Sequence, residues 1–130
     1  MRVVFDSNIY ISAFIFQGSN AEKAISRIIH GKDRLLISKA IVDEVLTVLA
    51  RKFSRDREAV SQTSIHLAEL ADIVTATSKI RILKDEADNR ILECAVAGKA
   101  EVIVTGDKAM LVLKEYKGIR IITLKKYINK

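Results

Sequence analysis

The 130-residue sequence has no proline, no tryptophan, one cysteine, two histidines and only 5% aromatic residues. Each shortage closes off a class of protein. The lone Cys94 cannot form an internal disulfide, and no Cys/His spacing suggests a zinc site. A reducing cytoplasm is therefore the expected location. No apolar run approaches the roughly 20 residues needed to cross a bilayer, so no membrane is expected. The opening M-R-V-V-F-D reaches an acid too early for the apolar region of a signal peptide. His30 and His66 read as ordinary helix residues, which disfavours ribonuclease chemistry built on paired histidines. Few aromatics leave little scope for base stacking, and Tyr10, at helical spacing, reads as packing.

What is present is an ordinary globular mixture, 49% hydrophobic and 29% charged, with a net charge of +6. One compact domain over residues 1–130 can bury a full core at this length. The positive charge attracts phosphate backbones. Four short β-branched runs read as strands covered on both faces: 3–5, 35–37, 102–104 and 120–122, with a weaker fifth at 73–76. Helical spacing fills 21–29, 41–52, 57–70, 86–97 and 108–116. Ser38, Asp56 and Asp85 are candidate N-caps, and Gly98 and Gly118 fall where helices should end. Alternating strands and helices predict an α/β fold, a parallel sheet with helices on both faces.

Two acids occupy equivalent places in that scheme. Asp6 follows V-V-F, and Asp107 follows V-I-V-T-G, so both lie at the carboxyl ends of buried strands. Open parallel sheets form their ligand crevice at that edge, although an aspartate there can equally cap the following helix. Two further acids sit on helices. On the helix 41–52, Glu44 falls roughly 60° from Ile41, bordering the apolar stripe. On the helix 86–97, Asp88 falls close to the middle of the apolar face, at roughly 200° from Glu86, while Glu86 and Glu93 face the other way. A carboxylate on a buried face needs a cation or donors. The alternative for Asp88 is the second half of a capping box with Asp85. If the four acids meet, repulsion raises their pKa values or calls for a hard divalent ion with oxygen ligands.

At these residues the sequence resembles the PIN-domain nucleases, and more narrowly the single-domain VapC-like toxins of prokaryotic toxin–antitoxin pairs. V-V-F-D-S-N resembles the first motif, S-K-A-I-V-D-E-V-L the second, D-E-A-D-N-R-I-L-E-C-A the third and V-I-V-T-G-D-K-A-M-L the last. The resemblance spans nearly the whole chain. It implies a three-layer α/β/α fold with strand order 3-2-1-4-5 and Asp6, Glu44, Asp88 and Asp107 as catalytic metal ligands. Asn8 and Thr105 would support them, one or two Mg²⁺ or Mn²⁺ ions would be the cofactor, and RNA the substrate. It also implies an antitoxin protein partner and a homodimer or higher homo-oligomer. Arg90 and Lys108 neighbour the acids and are candidates for holding RNA phosphates. Ala109 stands where some relatives carry a further acid, and Glu86 and Leu124 where many carry proline.

Two other readings compete. A phosphotransfer fold also places an aspartate after the first strand, but the phosphatase pattern wants a second one where Asn8 stands. The other is a catalytically inactive module of the same fold that binds RNA or a protein partner.

Overall fold

A computed structural model of the chain describes residues 1–54 and 56–130. The elements run β1 (Arg2–Phe5), α1 (Ser7–Ile15), α2 (Asn20–His30), β2 (Arg34–Ser38), α3 (Lys39–Lys52), α4 (Arg57–Leu70) and β3 (Asp72–Val74). They continue with α5 (Glu86–Ala97), β4 (Val102–Val104), α6 (Lys108–Leu111), β5 (Glu115–Tyr116), β6 (Ile119–Ile122) and α7 (Leu124–Ile128). The sheet order is β3-β2-β1-β4-β6-β5. Its first five strands are parallel, which is the expected 3-2-1-4-5 order with β6 as the fifth strand.

The correction is at the edge. The sheet is mixed, because the segment read as a helix over 108–116 stops at Leu111 and returns as antiparallel β5. Tyr116 pairs with Ile119, leaving a two-residue turn in which Lys117 and Gly118 both have positive φ. That is the geometry of a type I′ hairpin turn, which suits the right-handed twist of the strands it joins. Gly118 therefore serves a hairpin, not a helix end. Gly98 does terminate α5, and a Cβ there would stand 2.8 Å from Leu36 Cδ1.

The central strands are buried along nearly their whole length, as runs such as V-V-F and V-I-V require when helices cover both faces. Tyr10 packs against Phe5 with ring centroids 5.9 Å apart, as its helical spacing suggested. Burial pushes the Cys94 thiol up to about 12, opposed by a hydrogen bond with Ser38, so the thiol is unreactive at neutral pH.

A second buried contact locks α7 to the sheet and to α2. The Tyr127 ring stands edge-on to Phe5 at 5.5 Å, and its hydroxyl donates to Asp33 Oδ2 at 2.7 Å. Arg27 lies over the same ring at 4.9 Å, and the Met1 amine donates to Asp33 Oδ1 at 3.0 Å. Burial pushes the Asp33 carboxyl up, but the donors from Tyr127, the amine and Arg27 outweigh it and hold the pKa below the usual value. Asp33 thus contributes stability above the unfolded-state pKa, lost as pH falls through the lowered folded value. Removing the hydroxyl in Tyr127→Phe should cost about 1 kcal/mol at neutral pH. Urea denaturation would show it as a lower midpoint at unchanged slope.

Candidate active site

The loop after β1 and the loop after β4 leave neighbouring strands on the same edge. Asp6 caps α1, its Oδ1 accepting from Asn8 N at 3.0 Å, and Asp107 caps α6, its Oδ1 accepting from Ala109 N at 2.8 Å and Met110 N at 3.2 Å. The cap reading thus holds for both, and it does not exclude the other one. Capping fixes each carboxylate by one oxygen at a set place on the sheet edge.

Thr105 ties the two together. Fully buried, its hydroxyl donates to Asp6 Oδ2 at 2.6 Å and accepts from the Asp107 amide at 3.0 Å. Its own amide donates to the Ile122 carbonyl, which fixes it against β6. One side chain therefore spans two acids that are far apart in sequence.

Asp88 completes the group from α5. It is only 6% exposed, it accepts no hydrogen bond among the described residues, and its buried Oδ2 has no partner. The capping-box role open to it is not taken; Asp85 alone caps α5, accepting from Ala87 N at 2.9 Å. Burial first, then the charges of Asp107, Asp85 and Asp6, push the Asp88 carboxyl up to about 7. When protonated it can donate to Asp107. Three of the four sequence candidates thus converge, with Asp85 as an additional neighbouring charge.

Glu44 stands apart from this group. It lies on the second turn of α3, exposed, with no hydrogen bond or ion pair among the described residues, and the main charges acting on Asp88 are those of Asp107, Asp85 and Asp6. Asn8 is exposed beside Asp6, and Lys108 is exposed beside Asp107. Arg90 is engaged differently from the expected phosphate contact. It bonds Glu93 at 2.7 Å and Glu86 at 3.2 Å, and it donates to the Ile80 carbonyl at 3.3 Å.

The sequence reading missed two residues that hold the surroundings of Asp88. Asn89 is fully buried and binds both the amide and the carbonyl of Leu83, each at 2.9 Å. Glu93, expected on the solvent side, is 6% exposed and accepts from Ile80 N at 2.9 Å. The aperiodic chain before α5 wraps over that helix and covers the side that a helical wheel assigns to water. An asparagine beside the buried-face acid was the available signal.

Among the described residues, no three His, Cys, Asp or Glu side chains are drawn into a close ligand cage. The oxygens are nonetheless of the right kind: hard carboxylates without sulfur or imidazole, one of them buried and unpartnered. Such oxygens suit a hard divalent ion better than zinc.

Known proteins share this fold. A family model for the PIN domain matches residues 2–109. The chain belongs to the PIN-domain family. An uncharacterized protein of Methanocaldococcus jannaschii is 27% identical over 119 residues, covering 88% of this chain and 76% of that protein. The fold of this PIN domain is also that of VapBC-1 from nontypeable Haemophilus influenzae. That likeness has a TM-score of 0.69 at 17% identity, over 96% of this chain and 99% of the other. The Mycobacterium tuberculosis VapC20, a toxin that cleaves the sarcin–ricin loop, aligns at a TM-score of 0.64 and 12% identity, over 91% and 98% of the two chains. The sheet order of this PIN domain agrees with the resemblance read from the sequence.

Proposed function

We propose that this PIN-domain protein is a divalent-metal-dependent endoribonuclease and the toxin of a toxin–antitoxin pair. The observation that carries the reading is the meeting of Asp6, Asp88 and Asp107 at the carboxyl edge of β1 and β4, with an unpartnered buried oxygen on Asp88. A purely structural site would gain nothing from placing unpaired negative charge there.

Asp6, Asp88 and Asp107 would hold Mg²⁺ or Mn²⁺, with Glu44 closing the site from α3. When bound, such an ion stabilises phosphate oxygens and makes hydroxide accessible near neutral pH. The chain's own residues set the geometry. Thr105 aims the Asp6 carboxylate and steadies the Asp107 loop, and the backbone caps leave the second oxygen of Asp107 free of the helix. Hydrolysis by water would leave a 5′-phosphate and a 3′-hydroxyl.

Single-stranded RNA should be cleaved with added magnesium or manganese, and excess EDTA should abolish the activity. Cleavage that persists in EDTA would sink the metal assignment. Thr105→Val keeps the shape and removes the hydroxyl. By analogy with residues that orient metal ligands, it should lower divalent-ion affinity by roughly 10–100-fold, with Thr105→Ser restoring it. Calorimetric titration with Mn²⁺ reads both variants.

A protein partner is supported by a separate surface. A groove of about 330 Å³ is lined by Phe14, Ile25, Ile29, His66, Glu69 and Leu70. Beside it Ile29 is 62% exposed, an apolar side chain that a binding partner would cover. The Haemophilus neighbour's structure is of VapBC-1. An antitoxin bound here, or a second copy of the chain, is the occupant that the toxin reading calls for. Co-expression with the product of an adjacent short reading frame should yield a complex in which cleavage is suppressed.

A further inference from the structure

A different face carries unpaired charge of the opposite sign. Thr123, Lys125, Lys126, Asn129 and Lys130 line an open cleft of about 480 Å³ along α7. All five are exposed, and the three lysines make no ion pair among the described residues. No carboxylate side chain lines this cleft.

The cleft also begins at the carboxyl edge of the sheet, one strand over from the loop of Asp107. Thr123 follows Ile122, whose carbonyl accepts from the amide of Thr105, the residue that holds Asp6. α7 is held in place at its other end as well. Tyr127 packs on Phe5, the residue before Asp6, and Arg27 donates to a main-chain oxygen of Lys130 at 2.9 Å. Lys125 and Lys126 therefore project from a helix packed on the sheet, with Lys130 held just beyond it.

We propose that this cleft is the track for substrate RNA on one side of the scissile bond, with Lys125, Lys126 and Lys130 contacting successive backbone phosphates. The inference rests on the nuclease reading of the carboxylate edge. A site built from acids repels a polyanion, and cations alongside it supply the attraction that brings the strand in. The cleft is lined by no aromatic side chain, so it grips backbone and not bases.

The test compares the full-length protein with Lys125→Gln/Lys126→Gln/Lys130→Gln and with a control of equal charge, Lys52→Gln/Lys99→Gln/Lys117→Gln. Binding of a short fluorescent single-stranded RNA is followed from about 50 to 200 mM salt in an Asp107→Asn background. Each phosphate left without its lysine lowers the slope of log affinity against log salt by about 0.7, so the slope of the α7 variant should be shallower by about 2. In otherwise wild-type protein the same three changes should raise KM roughly tenfold, with kcat within about twofold. The control should move neither. Equal changes in both triple variants would mean net charge alone matters and would overturn the track, as would an unchanged slope in the α7 variant. Failure of the wild type to cleave RNA overturns the nuclease reading instead, because the binding slope still reads the cleft.

Discussion

Asp107→Asn and Asp6→Asn should each reduce cleavage by on the order of 10³-fold or more, with the fold intact. A loss on that scale corresponds to several kcal/mol of transition-state stabilisation, the size expected when a metal-holding carboxylate is neutralised. Asparagine keeps the side-chain oxygen that caps α1 or α6, so the caps at Asn8 N and at Ala109 and Met110 N survive. Circular dichroism should be unchanged while activity disappears. Glu44→Gln should cost less, because Glu44 makes no hydrogen bond to the group among the described residues and is not among the main charges on Asp88. Equal activity in wild type, Asp6→Asn and Asp107→Asn would remove the carboxylate edge from the mechanism and leave the inactive RNA- or partner-binding module.

Asp88→Asn should do something the other two do not: stabilise the metal-free protein, and only in neutral and alkaline solution. The Asp88 carboxyl, ordinarily near 3.8, is pushed up to about 7 in the folded chain by burial and by Asp107, Asp85 and Asp6. Between those values the folded protein holds a proton that the unfolded chain has lost. Stability therefore falls as pH rises through that window and levels off above about 7. A shift of this size in isolation would be worth about 4 kcal/mol. Asp107 is only partly buried and solvent screens the cluster, so about 1–2 kcal/mol is the expected gain from Asn at pH 8. Thermal melts in EDTA should show a Tm raised by roughly 3–8 °C at pH 8 and unchanged at pH 4. Added Mn²⁺ should raise the wild-type Tm at pH 8 and do much less for the variant, since a ligand that binds only the folded state stabilises it in proportion to its affinity. A variant no more stable than wild type at pH 8 would show that the acids are farther apart or better screened than we describe.

Most of the parallel core was legible because it is written in short β-branched runs with no polar interruption. V-V-F, L-L-I and V-I-V can be little else at that length, and their order fixes which loops share an edge. Asp6 and Asp107 followed from that placement alone. Asp88 was legible by helical phase, while the phase of Glu44 was only permissive, and it is the acid that stands apart. What was not legible depends on chain crossing over chain. Glu93 looks solvated on a wheel and is covered by the irregular segment before α5, which has no period to read. A helix over 108–116 overshoots because M-L-V-L continues an apolar spacing. The K-G turn that folds residues 115–122 into a hairpin is a weaker signal than N-G or D-G. Arg90 looked like a phosphate contact by its sequence position, and its two glutamate partners became visible only in three dimensions.

The hydroxyl of Thr105 has a consequence for timing. Its bond to Asp6 joins residues 99 positions apart, across the pairing of β1 with β4. During synthesis at about 5–20 residues per second, Asp6 emerges early and then waits roughly 5–20 s for its partner strand. No shorter nascent chain can assemble this pair of carboxylates, and non-local strand pairing is among the slower events in folding. If the proposed nuclease reading holds, the protein is thereby born harmless to the message it is read from, and its carboxylate edge forms only when nearly all of it has been made.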